Sequence, residues 1–262
     1  MPVIARAGLH LWEEPVLSGT RGSGAMFFSG CSLGCVYCQN HTISAEGVGK
    51  AVTTERLREI FRELIAQGAH NIDLITASHF VPFLLPALEE PLPVPVVFNC
   101  GGYERVETLR LLEGKVQIWL PDLKYGLEEP ARRYSHAPDY FPVATEAIRE
   151  MFRQVGPCRM EDGLLRQGGE IACLIKPQFE AGREKVGKKG VVRDPAVHLE
   201  VLEHFLTHAK ENHFTVLGIT YSPIRGPEGN IEYLGYLKKC DEPDGSFDLP
   251  ALVAESHSQL KD

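Results

Sequence analysis

Apolar runs rich in β-branched and aromatic residues alternate with helical repeats along the first part of the chain. Strands are predicted at residues 25–29, 72–76, 94–99 and 116–120. Apolar residues at helical spacing predict helices over residues 54–67 and 105–112, and a third helix that ends at Gly156. Strands that are apolar on both faces and separated by helices are typical of parallel sheets, so the pattern predicts an α/β fold.

The later part of the chain continues in the same style. Residues 171–175 predict a buried strand, and a helix begins at Asp194 with proline in its first turn. Residues 214–220 and 231–237 predict two more strands. We expect the first of these three strands to be the fifth parallel strand and the second to be a sixth. The last should pair antiparallel at the edge, because the connection before it is too short for a crossover helix. Residues 241–262 are polar and predict a frayed tail.

Composition narrows the function classes. The 262 residues are 44% hydrophobic, which is enough to bury a core, and the net charge of -8 argues against a broadly basic nucleic-acid surface. The apolar runs are too short to cross a bilayer, and the first residues do not read as a secretion signal. We therefore expect a cytoplasmic protein with no membrane contact.

Three of the seven cysteines lie within eight positions of one another. Cys31, Cys35 and Cys38 have the spacing C-x3-C-x2-C, and soft thiolates at this density suit an iron–sulfur centre. Three ligands would hold three irons of a cubane and leave the fourth open to a substrate or cofactor. A zinc site that adds Cys100 or His41 to the three cysteines is the alternative.

This spacing, with Tyr37 before the last cysteine, resembles the radical S-adenosylmethionine enzymes. Residues 18–40 and the Asp-Leu-Lys-Tyr segment at 122–125 are similar to the branch typified by pyruvate formate-lyase activating enzyme, over about residues 1–167. The resemblance implies a partial or open (β/α) barrel with a [4Fe–4S] cluster and S-adenosylmethionine as cofactors. It also implies an oxidoreductase that cleaves S-adenosylmethionine to a 5′-deoxyadenosyl radical for hydrogen abstraction. A glycyl-radical-type protein would be its substrate, and flavodoxin or ferredoxin its electron donor.

The same resemblance assigns the site. Cys31, Cys35 and Cys38 would bind the cluster, and Asp122 and Lys124 would be catalytic residues at the rim of the site. The cofactor-binding residues implied are Tyr37, Asn40, Thr76, Ser78, His79 and Asn99. Relatives carry Gly-Gly-Glu where this chain has residues 76–79, so those contacts differ here. An ordinary surface pair is the alternative for Asp122 and Lys124, and a satisfied buried histidine is the alternative for His79.

A second resemblance begins near residue 169. Over about residues 169–239 the chain is similar to the C-terminal half of hemolysin-A-type RNA 2′-O-methyltransferases, in which Lys176 and Glu232 match catalytic positions. The remaining catalytic residues and the glycine-rich cofactor loop of that family have no counterpart here. The predicted organisation is a radical S-adenosylmethionine-type portion (1–167), a methyltransferase-like segment (168–240) whose Rossmann-like strands and helix complete the barrel, and the tail. The alternative functions are RNA methylation and a catalytically incomplete chimera.

Overall fold

The computed structural model describes residues 1–11, 13, 15–169, 171–187, 190–211, 214–226, 229–238 and 243–260. The strands are β1 (Val3–His10), β2 (Ser23–Phe28), β3 (Lys50–Ala51), β4 (Ile72–Ile75), β5 (Val96–Cys100), β6 (Ile118–Pro121), β7 (Arg159–Glu161), β8 (Leu164–Gly169), β9 (Ile171–Ile175), β10 (Thr215–Tyr221) and β11 (Tyr233–Lys238). The helices are α1 (Pro15–Ser18), α2 (His41–Ser44), α3 (Thr54–Ala66), α4 (Val81–Ala87), α5 (Val106–Leu111), α6 (Glu128–Ser135), α7 (Tyr140–Val155), α8 (Pro177–Glu180), α9 (Pro195–Glu211) and α10 (Leu249–Gln259). Short 3-10 helices cover Ser78–Phe80 and Arg183–Lys185.

Local sequence signals set the bounds of the predicted helices. The side chain of Thr53 accepts a hydrogen bond from the backbone N–H of Arg56 (3.1 Å) and so caps α3. The helix α7 stops at Gly156, whose φ of 65° and ψ of -157° leave the helical conformation and favour glycine. Asp194 accepts a hydrogen bond from the N–H of Ala196 (2.9 Å) at the start of α9. These three predicted helix ends are confirmed.

The larger sheet has the strand order β3-β1-β2-β4-β5-β6-β8-β7. Strands β2, β4, β5, β6 and β8 are parallel, and each pairs with the next in chain order. One face packs against the helices through buried side chains such as Leu74, Phe98 and Trp119. Alternation along the strands turns Asp73 and Asn99 to the opposite face. The predicted α/β class is confirmed, with a parallel sheet covered by helices on one face.

The fifth parallel strand is β8, and the prediction that residues 171–175 would take this place is wrong. Ile118 and Trp119 of β6 pair with Gly168 and Gly169. The far edge of β8 is occupied by β7, its antiparallel neighbour, which leaves no edge there for the next strand.

The second sheet is separate and has the order β10-β11-β9. Both pairings are antiparallel, with Leu234 opposite Leu174 and Gly235 opposite Ile219. The predicted sixth parallel strand is therefore wrong for residues 214–220. The antiparallel pairing of residues 231–237 is confirmed, but their predicted edge position is wrong, because β11 lies between β10 and β9. The methyltransferase-like strands do not extend the parallel sheet as expected, because they form a sheet of their own.

The polar tail predicted for residues 241–262 contains the helix α10. Asp248 caps it by accepting a hydrogen bond from the N–H of Ala251 (3.0 Å). Leu249 and Val253 are buried, and the Ser256 hydroxyl lies 2.9 Å from the hydroxyl of Tyr233. The apolar positions are few, but they recur at helical spacing and pack on the second sheet. Within the described residues, no helix combines the length and the apolar character needed to cross a bilayer.

Candidate functional site

The cysteine loop follows β2 directly and folds back on itself. Gly30 has φ of 90°, and a Cβ there would lie 3.0 Å from Nε2 of His79, so the loop's first turn favours glycine. The N–H of Gly30 donates to the carbonyl of Ile43 (3.0 Å), and the N–H of Cys38 donates to the carbonyl of Cys35 (3.2 Å). These bonds hold the loop over the C-terminal ends of the parallel strands, where (β/α) proteins place their sites.

The three cysteines of this loop line one cavity of about 450 Å3, which we call the cysteine cavity. Other polar residues line this cavity from the residue before α2, from the ends of β4, β5 and β6, and from the methyltransferase-like segment. They are Asn40, Thr76, Asn99, Asp122, Lys124 and Lys176. Thr76 has φ of 58°, which is rare for a β-branched residue and marks strained backbone at the cavity wall.

Each thiol of the loop has a polar contact. The hydroxyl of Ser135 donates to Sγ of Cys35 (2.8 Å), and Sγ of Cys38 lies 3.3 Å from the hydroxyl of Ser44. Burial of the sulfur raises the pKa of Cys31, the N–H of Leu33 (3.4 Å) opposes that shift, and the two neighbouring thiols add to it. Three thiolates this close repel one another, so a bound cationic centre is what would favour their deprotonated forms.

The donor set suits a cluster better than a single ion. Among the described residues, no three His, Cys, Asp or Glu side chains are placed to hold one metal ion. His41 lies on the surface, where its Nδ1 is 3.4 Å from Glu46, and Cys100 is buried with a raised pKa caused by that burial. The zinc alternative therefore gains no support. A cubane places each thiolate on a different iron, so its ligands need not meet at one point.

Asp122 and Lys124 form an ion pair at the rim of the cysteine cavity, and their catalytic role stays a prediction. The side chain of Asp122 is 56% exposed and that of Lys124 only 23% exposed, so the pair joins solvent to the cavity wall. Burial alone would lower the pKa of Lys124, but the carboxylate of Asp122 and the nearby thiols raise it. The backbone of Gly102 packs closely against Asp122 at this rim. Only glycine fits there, because a Cβ would lie 2.3 Å from the carbonyl oxygen of Asp122.

The second segment supplies another wall of the cysteine cavity. Nζ of Lys176 lies 3.2 Å from Oε1 of Glu232, which also accepts a hydrogen bond from Gln178 (2.9 Å). The same Nζ lies 5.7 Å from the ring centroid of Tyr37, and the ring of Phe179 stacks on Tyr37 at 4.6 Å. The structure thus brings together Lys176 and Glu232, and places Lys176 beside the cysteine loop.

Some predicted residues are not brought to the cavity. Ser78 and His79 lie in a 3-10 helix outside its lining, and Nε2 of His79 lies 2.7 Å from the carbonyl of Ser29. His79 is exposed, so it is not the satisfied buried histidine of the alternative, and its role in cofactor binding stays a prediction. Tyr37 lines the cavity, but its hydroxyl donates to Tyr125 (2.6 Å) and one face is covered by Phe179.

The sequence patterns missed several groups near the site. Glu104 is 6% exposed and lies beside the side chains of Ser78 and Cys100; burial raises its pKa to about 7 and those hydrogen bonds oppose the shift. Asp73 is fully buried on the sheet face opposite the helices, and that burial raises its pKa. The sequence signal that could have identified Asp73 and Glu104 is a charged residue within or just after an apolar strand. His10 lines the cavity through β1, a strand that the hydrophobic pattern did not reveal.

Comparison with known families separates the two parts of the chain. Residues 18–79 match the 4Fe-4S single cluster domain, and residues 144–239 match the FtsJ-like methyltransferase family. The chain joins an iron–sulfur segment to a methyltransferase-like segment. The two resemblances found in the sequence are thereby confirmed at this level. The methyltransferase match starts within α7, earlier than the predicted start near residue 169.

Three curated proteins are similar to parts of the chain. YqxC of Bacillus subtilis, named as an rRNA methyltransferase, is 43% identical over 104 residues, which are 38% of this chain and 37% of that protein. MJ0674 of Methanocaldococcus jannaschii, an uncharacterized protein, is 34% identical over 144 residues, or 52% and 42% of the two chains. The 16S/23S rRNA (cytidine-2′-O)-methyltransferase TlyA of Mycobacterium tuberculosis is 37% identical over 76 residues, or 29% and 28%. The chain spans less than half the length of each relative.

Proposed function

We propose that the cysteine cavity holds a [4Fe–4S] cluster and binds S-adenosylmethionine at it, as in radical S-adenosylmethionine enzymes of activating-enzyme type. The observation that carries this proposal is the placement of Cys31, Cys35 and Cys38 along one cavity with polar walls. The match to a 4Fe-4S domain and the consecutive order of the parallel strands, which is that of a partial (β/α) barrel, support it. When bound and reduced, such a cluster would supply one electron for the cleavage of S-adenosylmethionine to methionine and a 5′-deoxyadenosyl radical.

Residues of the cysteine cavity would hold the cluster and the cofactor. The three thiolates would each hold one iron, which leaves one iron for the amine and carboxylate of the cofactor. The side chains of Thr76 and Asn99 offer hydrogen bonds at the strand ends, and Lys124 and Lys176 offer ammonium groups for an anionic part of the ligand. The glycyl-radical-type substrate and the flavodoxin or ferredoxin donor remain predictions, and the comparisons give them no support.

Metal analysis tests the cluster. After anaerobic reconstitution we expect about four irons and four sulfides per chain in the wild-type protein. Cys35→Ala should lose most of both, because it removes one of three thiolates. Cys158→Ser is the matched control, since Cys158 lies away from the cysteine cavity and packs beside Leu165, and it should load like the wild type.

Two results would contradict the proposal. The first is a folded wild-type protein that carries one zinc ion instead of iron and sulfide. The second is equal loading of Cys35→Ala and Cys158→Ser, which would show that the iron is held elsewhere. The far-ultraviolet circular dichroism of each variant separates failure to load from failure to fold.

RNA 2′-O-methylation is a second candidate, favoured by the contact between Lys176 and Glu232 and by the likeness to YqxC and TlyA. A lysine held by a carboxylate could assist deprotonation of a ribose hydroxyl. The test is transfer of labelled methyl groups from S-adenosylmethionine to ribosomal RNA. Methylation that Lys176→Ala abolishes and Cys35→Ala leaves intact would support this candidate. No transfer by the wild-type protein would exclude it.

A further inference from the structure

A second cavity of about 220 Å3 lies between the two segments, and we call it the joint cavity. Leu127 and Phe141 line it from the first segment, and Val201, Phe205 and Phe214 line it from the second. Apolar side chains form most of its wall. A cavity of this size and character suits the body of a small organic molecule.

The joint cavity shares a wall with the cysteine cavity. Leu123, Lys124 and Leu174 line both of them. A molecule in the joint cavity would therefore be separated from the cysteine cavity only by this layer of side chains. The same three residues come from both segments, so the wall exists only because the segments are packed together.

One carboxyl group stands out in this apolar surrounding. Glu180, at the end of α8, lines the joint cavity, and its side chain accepts a hydrogen bond from the backbone N–H of Gly126. Burial raises its pKa to about 7, and the hydrogen bond acts in the opposite direction. Within the described residues Glu180 forms no ion pair, and the ammonium of Lys124 is held by Asp122. Glu180 is half-buried, and a carboxylate in an apolar wall without a countercharge is costly, so a cationic ligand would be favoured there.

We propose that the joint cavity binds a small organic amine with an apolar body, whose ammonium group pairs with Glu180. The amine site does not depend on the proposed function, because no residue of the cysteine loop lines the joint cavity. His204 and His208 also line the cavity.

Three compounds with one ring system test the charge preference. Tryptamine, 3-methylindole and indole-3-acetate carry a positive, a neutral and a negative group, and their affinities can be measured by calorimetry at pH 8. We expect tryptamine to bind the wild-type protein at least tenfold more tightly than 3-methylindole, and indole-3-acetate to bind least. Glu180→Gln should reduce the preference for tryptamine to less than twofold. Glu203→Gln, which changes an exposed glutamate on α9, should leave it unchanged.

A filled cavity gives an independent check. Ala209 is buried on α9 and lines the joint cavity, so Ala209→Leu should abolish binding of tryptamine and 3-methylindole. Equal affinities for the three compounds, or unchanged tryptamine affinity in Ala209→Leu or Glu180→Gln, would overturn the amine site. If Glu180→Gln fails to fold, Ala209→Leu still decides.

The two proposals fail separately. Cys35→Ala lies outside the joint cavity and should keep the tryptamine affinity of the wild-type protein. Retained tryptamine binding by a wild-type protein that never loads iron would support the amine site and contradict only the proposed cluster. Loss of tryptamine binding in Cys35→Ala would overturn the separation of the two cavities on which the proposal depends.

Discussion

At the scale of single residues, backbone geometry and burial set the rim of the cysteine cavity. Gly102 has φ of 76° and leaves no room for a side chain beside the carbonyl of Asp122. Glu104 holds a proton more tightly than an exposed carboxyl does because it is buried beside Cys100. Neither residue binds the proposed cofactors, but both support the residues that line the cavity.

The close approach at Gly102 predicts a large cost for any side chain. Gly102→Ala should lower the free energy of unfolding by about 3 kcal/mol, because strain at positive φ adds to the clash with Asp122. Gly114→Ala is the matched control: its φ is also 76°, but a Cβ there meets nothing within 4 Å, so about 1 kcal/mol is expected. Urea unfolding gives both values. Equal losses would contradict the clash.

Glu104 predicts a pH dependence of stability. Its pKa is about 7 in the folded protein and near 4.5 when unfolded, so the folded state binds the proton more tightly. Stability from this group is therefore present below pH 4.5 and is lost as the pH rises through 7. The difference in free energy of unfolding between Glu104→Gln and the wild type should rise by about 2 kcal/mol in favour of the variant between pH 5 and pH 8. Glu107→Gln, at an exposed position of α5, should show no such trend, and parallel pH profiles for all three proteins would contradict the assignment.

Cysteine spacing and strand ends could be predicted from the sequence at this scale, and the contacts of Glu104 could not. The three cysteines are adjacent in the chain, so their spacing alone predicts a shared site. Glu104 becomes unusual only through burial against Ser78 and Cys100, which depends on how β5 and the 3-10 helix pack. The hydrogen bond between His79 and the carbonyl of Ser29 could not be predicted for the same reason.

At the scale of elements, the apolar patterns located strands but did not determine their partners. A short run such as β9 is apolar enough for either a parallel or an antiparallel sheet, and only the occupied edge of β8 decides the question. The helix α8 shows the same limit. It has four residues, yet it places Phe179 on Tyr37 and so joins the second sheet to the cysteine loop.

This contact predicts the effect of removing one ring. Phe179→Ala should lower the free energy of unfolding by about 2–3 kcal/mol, because Phe179 stacks on Tyr37 and contacts the ring of Tyr134 at 4.9 Å between centroids. Phe83→Ala, at a position 36% exposed on α4, should cost about 1 kcal/mol or less. Chemical unfolding measures both changes. Equal effects would show that α8 does not fasten the two segments.

At the scale of the whole molecule, two segments with different relatives share one site. The cysteine loop and the parallel strands β2 and β4 lie in the part that matches a 4Fe-4S domain, whereas Lys176 and the parallel strand β8 lie in the FtsJ-like part. Both family resemblances could be predicted from the sequence, because the motifs that carry them are made of residues close together in the chain. It did not predict that Lys176 would line the cysteine cavity, because that placement depends on the antiparallel pairing of β9 with β11.

The central claim is that one iron of the cluster binds S-adenosylmethionine directly. Electron paramagnetic resonance of the reconstituted, dithionite-reduced protein, with and without S-adenosylmethionine, tests this claim most directly. An open iron that takes the cofactor's amine and carboxylate should change the line shape of the reduced cluster when the cofactor is added. Identical spectra with and without S-adenosylmethionine, in a protein with full iron and sulfide content, would contradict the account.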